Sequence, residues 1–95
     1  MYDGRFRVYE ATLSPSAIVA NTSAEQTFTV GGVRAGDVLL AAQKPTAQAG
    51  LAIVGYRVSA ADEVGITFGN FTGSSITPTA SELYLFVTST PNPIA

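Results

Sequence analysis

The stretch VGITFGNFTGSSITPTASELYLFV, residues 64–87, decides the fold class. Val64, Ile66 and Phe68 alternate with small or polar residues, which is the period-two pattern of a strand with one buried face. Residues 83–87 are apolar on both faces, as in a strand that is covered on both sides. The segment between them is rich in Gly, Ser, Thr and Pro, which indicates turns. This stretch therefore predicts two strands, paired as a hairpin with a long polar connection.

The rest of the chain contains more short apolar segments separated by turn residues. Further strands are predicted at residues 5–12, 24–30, 38–42 and 51–59, and a short β-like run at residues 16–20. In the first of these, Arg5 and Arg7 are expected to face outward from an edge strand. Gly55 marks a bulge or a close backbone contact within its strand. About seven strands at a spacing of roughly 8–12 residues predict an all-β fold, a single antiparallel β-sandwich of Ig-like or jelly-roll-like type.

Length and composition indicate one domain and limit its partners. The domain spans residues 1–95, with residues 1–4 and 90–95 expected to be extended arms. Only 13% of the residues are charged, compared with about 25% in an average soluble domain. Such low charge favours a protein that hides part of its surface in an assembly. A net charge of −2 without a basic patch argues against nucleic-acid binding.

The sequence shows no targeting segment and no catalytic pattern. The N-terminus lacks the apolar core of a signal peptide, and no apolar run approaches the ~20 residues of a membrane helix. The absence of Cys and His excludes disulfides, Cys/His zinc sites and His-based acid–base catalysis. No two carboxylates are marked as a pair, and no Ser lies in a nucleophile elbow. We therefore expect a non-enzymatic protein without cofactor or metal, made in the cytoplasm and without a membrane partner.

Several residues are candidates for contacts with other chains. Phe71 has the opposite strand parity to Phe68, so it either caps the core or contacts another chain. Lys44, in a loop before Pro45, is expected to be exposed or to meet a neighbouring subunit. Tyr56 is expected to share a strand face with Val54 and Val58, opposite Arg57. The candidate interface residues are Phe71, Ser74, Ser75, Pro78, Tyr56, Lys44, Pro91 and Pro93.

Short motifs in residues 23–30 and 44–87 resemble a family of small virion proteins of tailed bacteriophages. The motifs are Lys44-Pro45-Thr46, GLAIVGYRV at residues 50–58, Ser59-Ala60-Ala61, the run from Ile66 through Asn70 and Thr72 to Pro78, and Glu82-Leu83-Tyr84. The order and spacing of these motifs carry the resemblance more specifically than any single motif does.

The resemblance implies a non-enzymatic β-sandwich subunit, a capsid decoration (cement) protein that stabilises the shell. Its implied partners are the major capsid protein and its own copies, as a homo-oligomer with a trimer favoured, and its implied location is the virion surface. Two alternatives remain open. One is another virion component, such as a head fibre base, neck or tail protein; the other is a carbohydrate-binding β module, which would require an exposed aromatic platform.

Overall fold

The computed structural model of the protein describes residues 6–91, which form six β-strands and no helix. The strands are β1 (Phe6–Leu13), β2 (Thr22–Thr29), β3 (Val38–Gln43), β4 (Leu51–Ala60), β5 (Glu63–Asn70) and β6 (Glu82–Ser89). They make two antiparallel three-stranded sheets, ordered β1-β6-β3 and β2-β5-β4. The predicted all-β class is thus confirmed, and β1 is an edge strand as predicted.

Two details of the predicted topology are wrong. The run at residues 16–20 contributes only one isolated bridge, Ile18 with Ile76, so the described residues contain six strands instead of about seven. The predicted hairpin of residues 64–87 does not form, because β5 and β6 are the central strands of different sheets. Each already has two neighbours, so the polar connection crosses from one sheet to the other. The tight hairpin is β4–β5 instead, with Asp62 at a φ of 61° in its turn.

One hydrophobic core receives side chains from both sheets. Val64, Ile66 and Phe68 of β5 are fully buried, which confirms the core prediction for this strand. Tyr84 and Phe86 of β6 are also fully buried, with ring centroids 6.5 Å apart. The remaining buried apolar residues are Leu13, Ile18, Val30, Val33 and Leu39. Burying aromatic and aliphatic side chains of this size contributes roughly 1.5–3 kcal/mol each before conformational entropy is counted.

Bulges in the two edge strands that face each other change which side chains share a face. The register of β4 shifts between Ile53 and Gly55, so the bulge expected at Gly55 is present and Val54 is its extra residue. The register of β3 shifts between Leu39 and Ala41. Tyr56 bridges the two sheets at this edge, because its hydroxyl donates to the Leu40 carbonyl at 3.0 Å.

Candidate interaction surface

The outward side of the β1-β6-β3 sheet carries mainly apolar residues. The inward residues of β6, Tyr84 and Phe86, are buried, so the alternate residues Leu83, Leu85 and Val87 face outward. The register then places side chains of β1 and β3 beside them. We call the following set the outer face: Phe6, Val8, Glu10 and Thr12 of β1; Leu83, Leu85, Val87 and Ser89 of β6; and Val38, Ala41 and Gln43 of β3.

Large apolar side chains of the outer face are accessible to solvent. Val8 is 67% exposed, and Phe6, Val38 and Leu83 are 49%, 49% and 46% exposed. Soluble monomers rarely expose contiguous apolar patches larger than a few hundred Å², and larger ones mark interaction sites. The outer face is therefore our candidate interaction surface.

The outer face also carries little charge. Glu10 is the only charged residue among those that define it, all of which lie within the described part of the chain. Glu10 and Gln43 flank Leu85 from the two edge strands. Depletion of charge is typical of the central part of protein interfaces.

The outward side of the other sheet, β2-β5-β4, is polar by contrast. Glu25 and Arg57 form a two-bond ion pair across it, with nitrogen–oxygen distances of 2.7 and 3.0 Å. The hydrogen bond from Arg57 lowers the pKa of Glu25, and the same bond raises the pKa of Arg57. This pair lies over Gly65, where a Cβ atom would be 2.2 Å from the Glu25 carboxylate. An exposed ion pair of this kind adds little stability.

Phe71 forms a small separate apolar patch on that polar side. Its side chain is 69% exposed, so it does not cap the core. The ring lies over Gly69, where an added Cβ would be 3.1 Å from both the Phe71 ring and Val54. A cavity of about 370 Å³ beside it is lined by Asn21, Thr22, Ser23, Asn70 and Phe71. The absence of a side chain at residue 69 thus allows the ring to rest on the sheet.

Asn70 holds the loop that follows β5. Its amide nitrogen donates to the carbonyls of Ile18 and Ser74, at 3.0 and 2.8 Å. Its amide oxygen accepts from the backbone nitrogen and the hydroxyl of Thr72, at 2.9 and 2.8 Å. Asn70 is 1% exposed and both of its amide hydrogens are used, so the side chain is fully engaged inside the domain.

Lys44 pairs inside the domain, and the expectation that it is exposed is wrong. Its ammonium group lies 3.0 Å from a Glu82 carboxylate oxygen, and the two side chains are 9% and 8% exposed. The ammonium also donates to the Thr46 carbonyl at 2.8 Å, and the Thr46 hydroxyl donates to the second Glu82 oxygen. The Thr46 hydrogen bond, with help from Lys44, lowers the pKa of Glu82. These contacts attach the β3–β4 loop to the start of β6.

The other predicted interface residues are scattered over the molecule. Ser74, Ser75 and Pro91 are exposed, whereas Pro78 is buried inside the domain and cannot contact a partner without rearrangement. Pro93 lies outside the described residues, as do residues 1–4 at the other arm. Tyr56 is 39% exposed and faces inward with Val58, while the bulge sends Val54 to the opposite side.

The start of the predicted C-terminal arm is attached to the body. The Thr90 hydroxyl accepts from Arg34 at 2.9 Å and donates to Asp37 at 3.2 Å. Asp37 is 8% exposed, so the bond from Thr90 to Asp37 is partly shielded from water, whereas the bond from Arg34 is exposed. Any free arm at this end therefore begins after Thr90.

Within residues 6–91 no cluster of three or more metal-ligating side chains occurs, and no helix is long and apolar enough to cross a membrane. A cavity of about 460 Å³ between β3 and β4 is lined by apolar residues, including Leu51, Ile53 and Phe68, and by Lys44 and Thr46. Burial raises the pKa of the Tyr84 hydroxyl to about 12. A phenol with such a pKa stays protonated at neutral pH, so it is poorly suited to act as a base.

The residues of β1 and β3 on the outer face were missed by the sequence reasoning. The charge of Arg7 predicts that its side of β1 faces outward, yet Tyr9 on that side packs against the core and Val8 faces solvent. Only the second apolar face of residues 83–87 pointed to this surface in the sequence. No protein-family model, no curated protein and no solved structure matches this chain.

Proposed function

We propose that this protein is a non-enzymatic structural subunit of a tailed-bacteriophage particle, a capsid decoration protein that works as a homo-oligomer on the major capsid protein. Its two sheets, which share one core, would form a β-sandwich. The observation that carries the proposal is the nearly uncharged, solvent-exposed outer face. Such a face suits assembly better than catalysis or nucleic-acid binding.

The physical basis is the burial of apolar area in many copies. Covering the outer face gains about 25 cal/mol per Å² of apolar surface, from which the costs of association are subtracted. One such contact is weak, but contacts repeated over a symmetric lattice add up. Proteins of the family that the sequence resembles often form trimers.

Two other functions are alternatives with different expectations. A head fibre base, neck or tail component would use the outer face equally well, but in few copies per particle. A carbohydrate-binding module is favoured by one observation, the exposed Phe71 ring beside the uncharged side chains of Asn21, Thr22 and Ser23. Aromatic faces with neighbouring polar groups are general features of ligand sites.

The copy number per purified particle tests the proposal. Gel densitometry against the major capsid protein should give near-stoichiometric amounts; a dozen copies or fewer would favour the neck or tail alternative, and absence would reject both.

A binding assay assigns the surface. Val8→Asp places a charge on the outer face at an exposed position and should abolish binding to particles that lack the protein. Thr27→Asp, on the polar side of the other sheet, is the matched control and should bind normally. Equal binding of the two variants would reject the outer face as the assembly surface.

A further inference from the structure

The outer face is organised in rows that run across the three strands. Antiparallel register places Val8, Val87 and Ala41 in one row, and Glu10, Leu85 and Gln43 in the next. A third row contains Phe6, Ser89 and Val38. In each row β6 is central, and its flanking residues differ in size or in charge.

We infer that the outer face packs against the outer face of a second copy, about a two-fold axis parallel to β6. This inference rests on the proposed use of the face for assembly and names its partner as a second copy. Each pair would then contact the major capsid protein through residues outside the outer face, and Val8→Asp would reduce particle binding by breaking the pairs. A two-fold rotation about this axis places β6 over β6 and β1 over β3 of the second copy, at unchanged height along the strands. Each row therefore faces the same row of the second copy, with its three residues in the opposite order across the strands.

In this arrangement a larger side chain faces a smaller one, and the one charged side chain faces a hydrogen-bond donor. Val8 meets the small Ala41 of the second copy, which leaves room for the larger side chain. Glu10 meets Gln43 of the second copy, whose amide can donate to the carboxylate, and this contact occurs twice. Stacked sheets lie about 10 Å apart, with strands aligned to within about 30°, so the central rows stay in contact despite the twist.

The other face-to-face arrangement is less favourable. A two-fold axis perpendicular to the strands places β1 over β1 of the second copy. If the axis passes through the row of Glu10, Glu10 meets Glu10 of the second copy. If the axis is placed so that all four rows overlap, Glu10 meets Val8 of the second copy. The first contact is a like-charge repulsion, and the second buries a carboxylate against an apolar side chain. The position of Glu10 thus selects the parallel axis.

The size of the face predicts weak pairing. Three strands about 4.8 Å apart and four rows about 6.7 Å apart cover on the order of 300 Å² in projection. This is below what stable dimers usually bury, so we expect pairing that depends strongly on concentration. Crowding on a particle surface would raise the local concentration.

A charge-swap series tests the pairing in the isolated protein. Sedimentation at low salt, over a range of concentrations up to about millimolar, should show a change from the 9.8 kDa monomer to twice that mass. Gln43→Glu should weaken the pairing roughly tenfold or more, because it faces Glu10 of the second copy twice. Adding Glu10→Lys to that variant should restore it, and Thr27→Glu should have no effect.

Three outcomes would overturn the inference. They are a mass of three subunits, a monomer at all concentrations, or a Gln43→Glu variant that pairs like Thr27→Glu. None of these outcomes would change the count of copies per particle, which tests the proposed function separately. Absence of the protein from the particle would reject the proposed function even if the isolated protein forms pairs.

Discussion

Replacing Asn70 with Ala should destabilise the fold by about 2–4 kcal/mol. The change removes four hydrogen bonds, two donated to the carbonyls of Ile18 and Ser74 and two accepted from Thr72. Each such bond has a net value of about 0.5–1.5 kcal/mol, and a buried group left without a partner costs about 1–3 kcal/mol. The sum is reduced because the Ile18 carbonyl still accepts from the Ile76 backbone at 3.0 Å.

Urea unfolding of the purified variant measures this loss, provided that the slope of the transition is unchanged. Ser75→Ala, an exposed position in the same loop, is the control and should change stability by less than about 0.5 kcal/mol. Asn70→Asp should be destabilising at neutral pH, because a carboxylate would face two carbonyl oxygens, and the loss should diminish in acid as it protonates. A loss below about 1 kcal/mol for Asn70→Ala would refute the view that this side chain holds the loop.

Three further changes test the core, the ion pair and the C-terminal end. Phe68→Ala should cost about 3–5 kcal/mol in urea unfolding, since the side chain is fully buried, and a loss under 1 kcal/mol would contradict its core position. Lys44→Met should reduce the thermal midpoint at pH 7. Because the pKa of Glu82 is lowered on folding, its contribution is present above the unfolded value of 4.5 and is lost as the pH falls through the folded value. The difference from the unaltered protein should therefore shrink in acid, and a constant difference from pH 7 to 2 would reject the pairing. Deleting residues 92–95 should leave the thermal midpoint unchanged and weaken assembly, whereas a deletion that starts at Thr90 should also lower the midpoint. Equal midpoints for the two deletions would show that the Thr90 bonds add no stability.

The strands and their buried residues were largely predictable from the sequence. Alternation at Val64, Ile66 and Phe68 is a local signal, and the structure buries all three. Pairing between strands is not local. The predicted hairpin of residues 64–87 fails because β5 already pairs with β2 and β4, and those partners lie far away in the chain.

The placement of single loop residues was less predictable. Lys44 was expected to be exposed because it lies in a polar loop, but its partner Glu82 is distant in sequence and becomes its neighbour only when β3 pairs with β6. Pro78 lies in the polar connection that the sequence predicts as turns and is among the predicted interface residues, but it is fully buried. Neither contact has a local sequence signal.

The outer face shows most directly why the sequence was insufficient. In β1 both parities are apolar, with Val8 on one side and Tyr9 and Leu13 on the other. Charge at Arg7 suggested that its side of the strand faces water, yet the register with β6 sends Tyr9 and Leu13 to the core. A strand that is apolar on both sides can bury only one of them within a two-layer fold. The other side is left exposed in the described residues, and it is this side that we propose is covered in assembly.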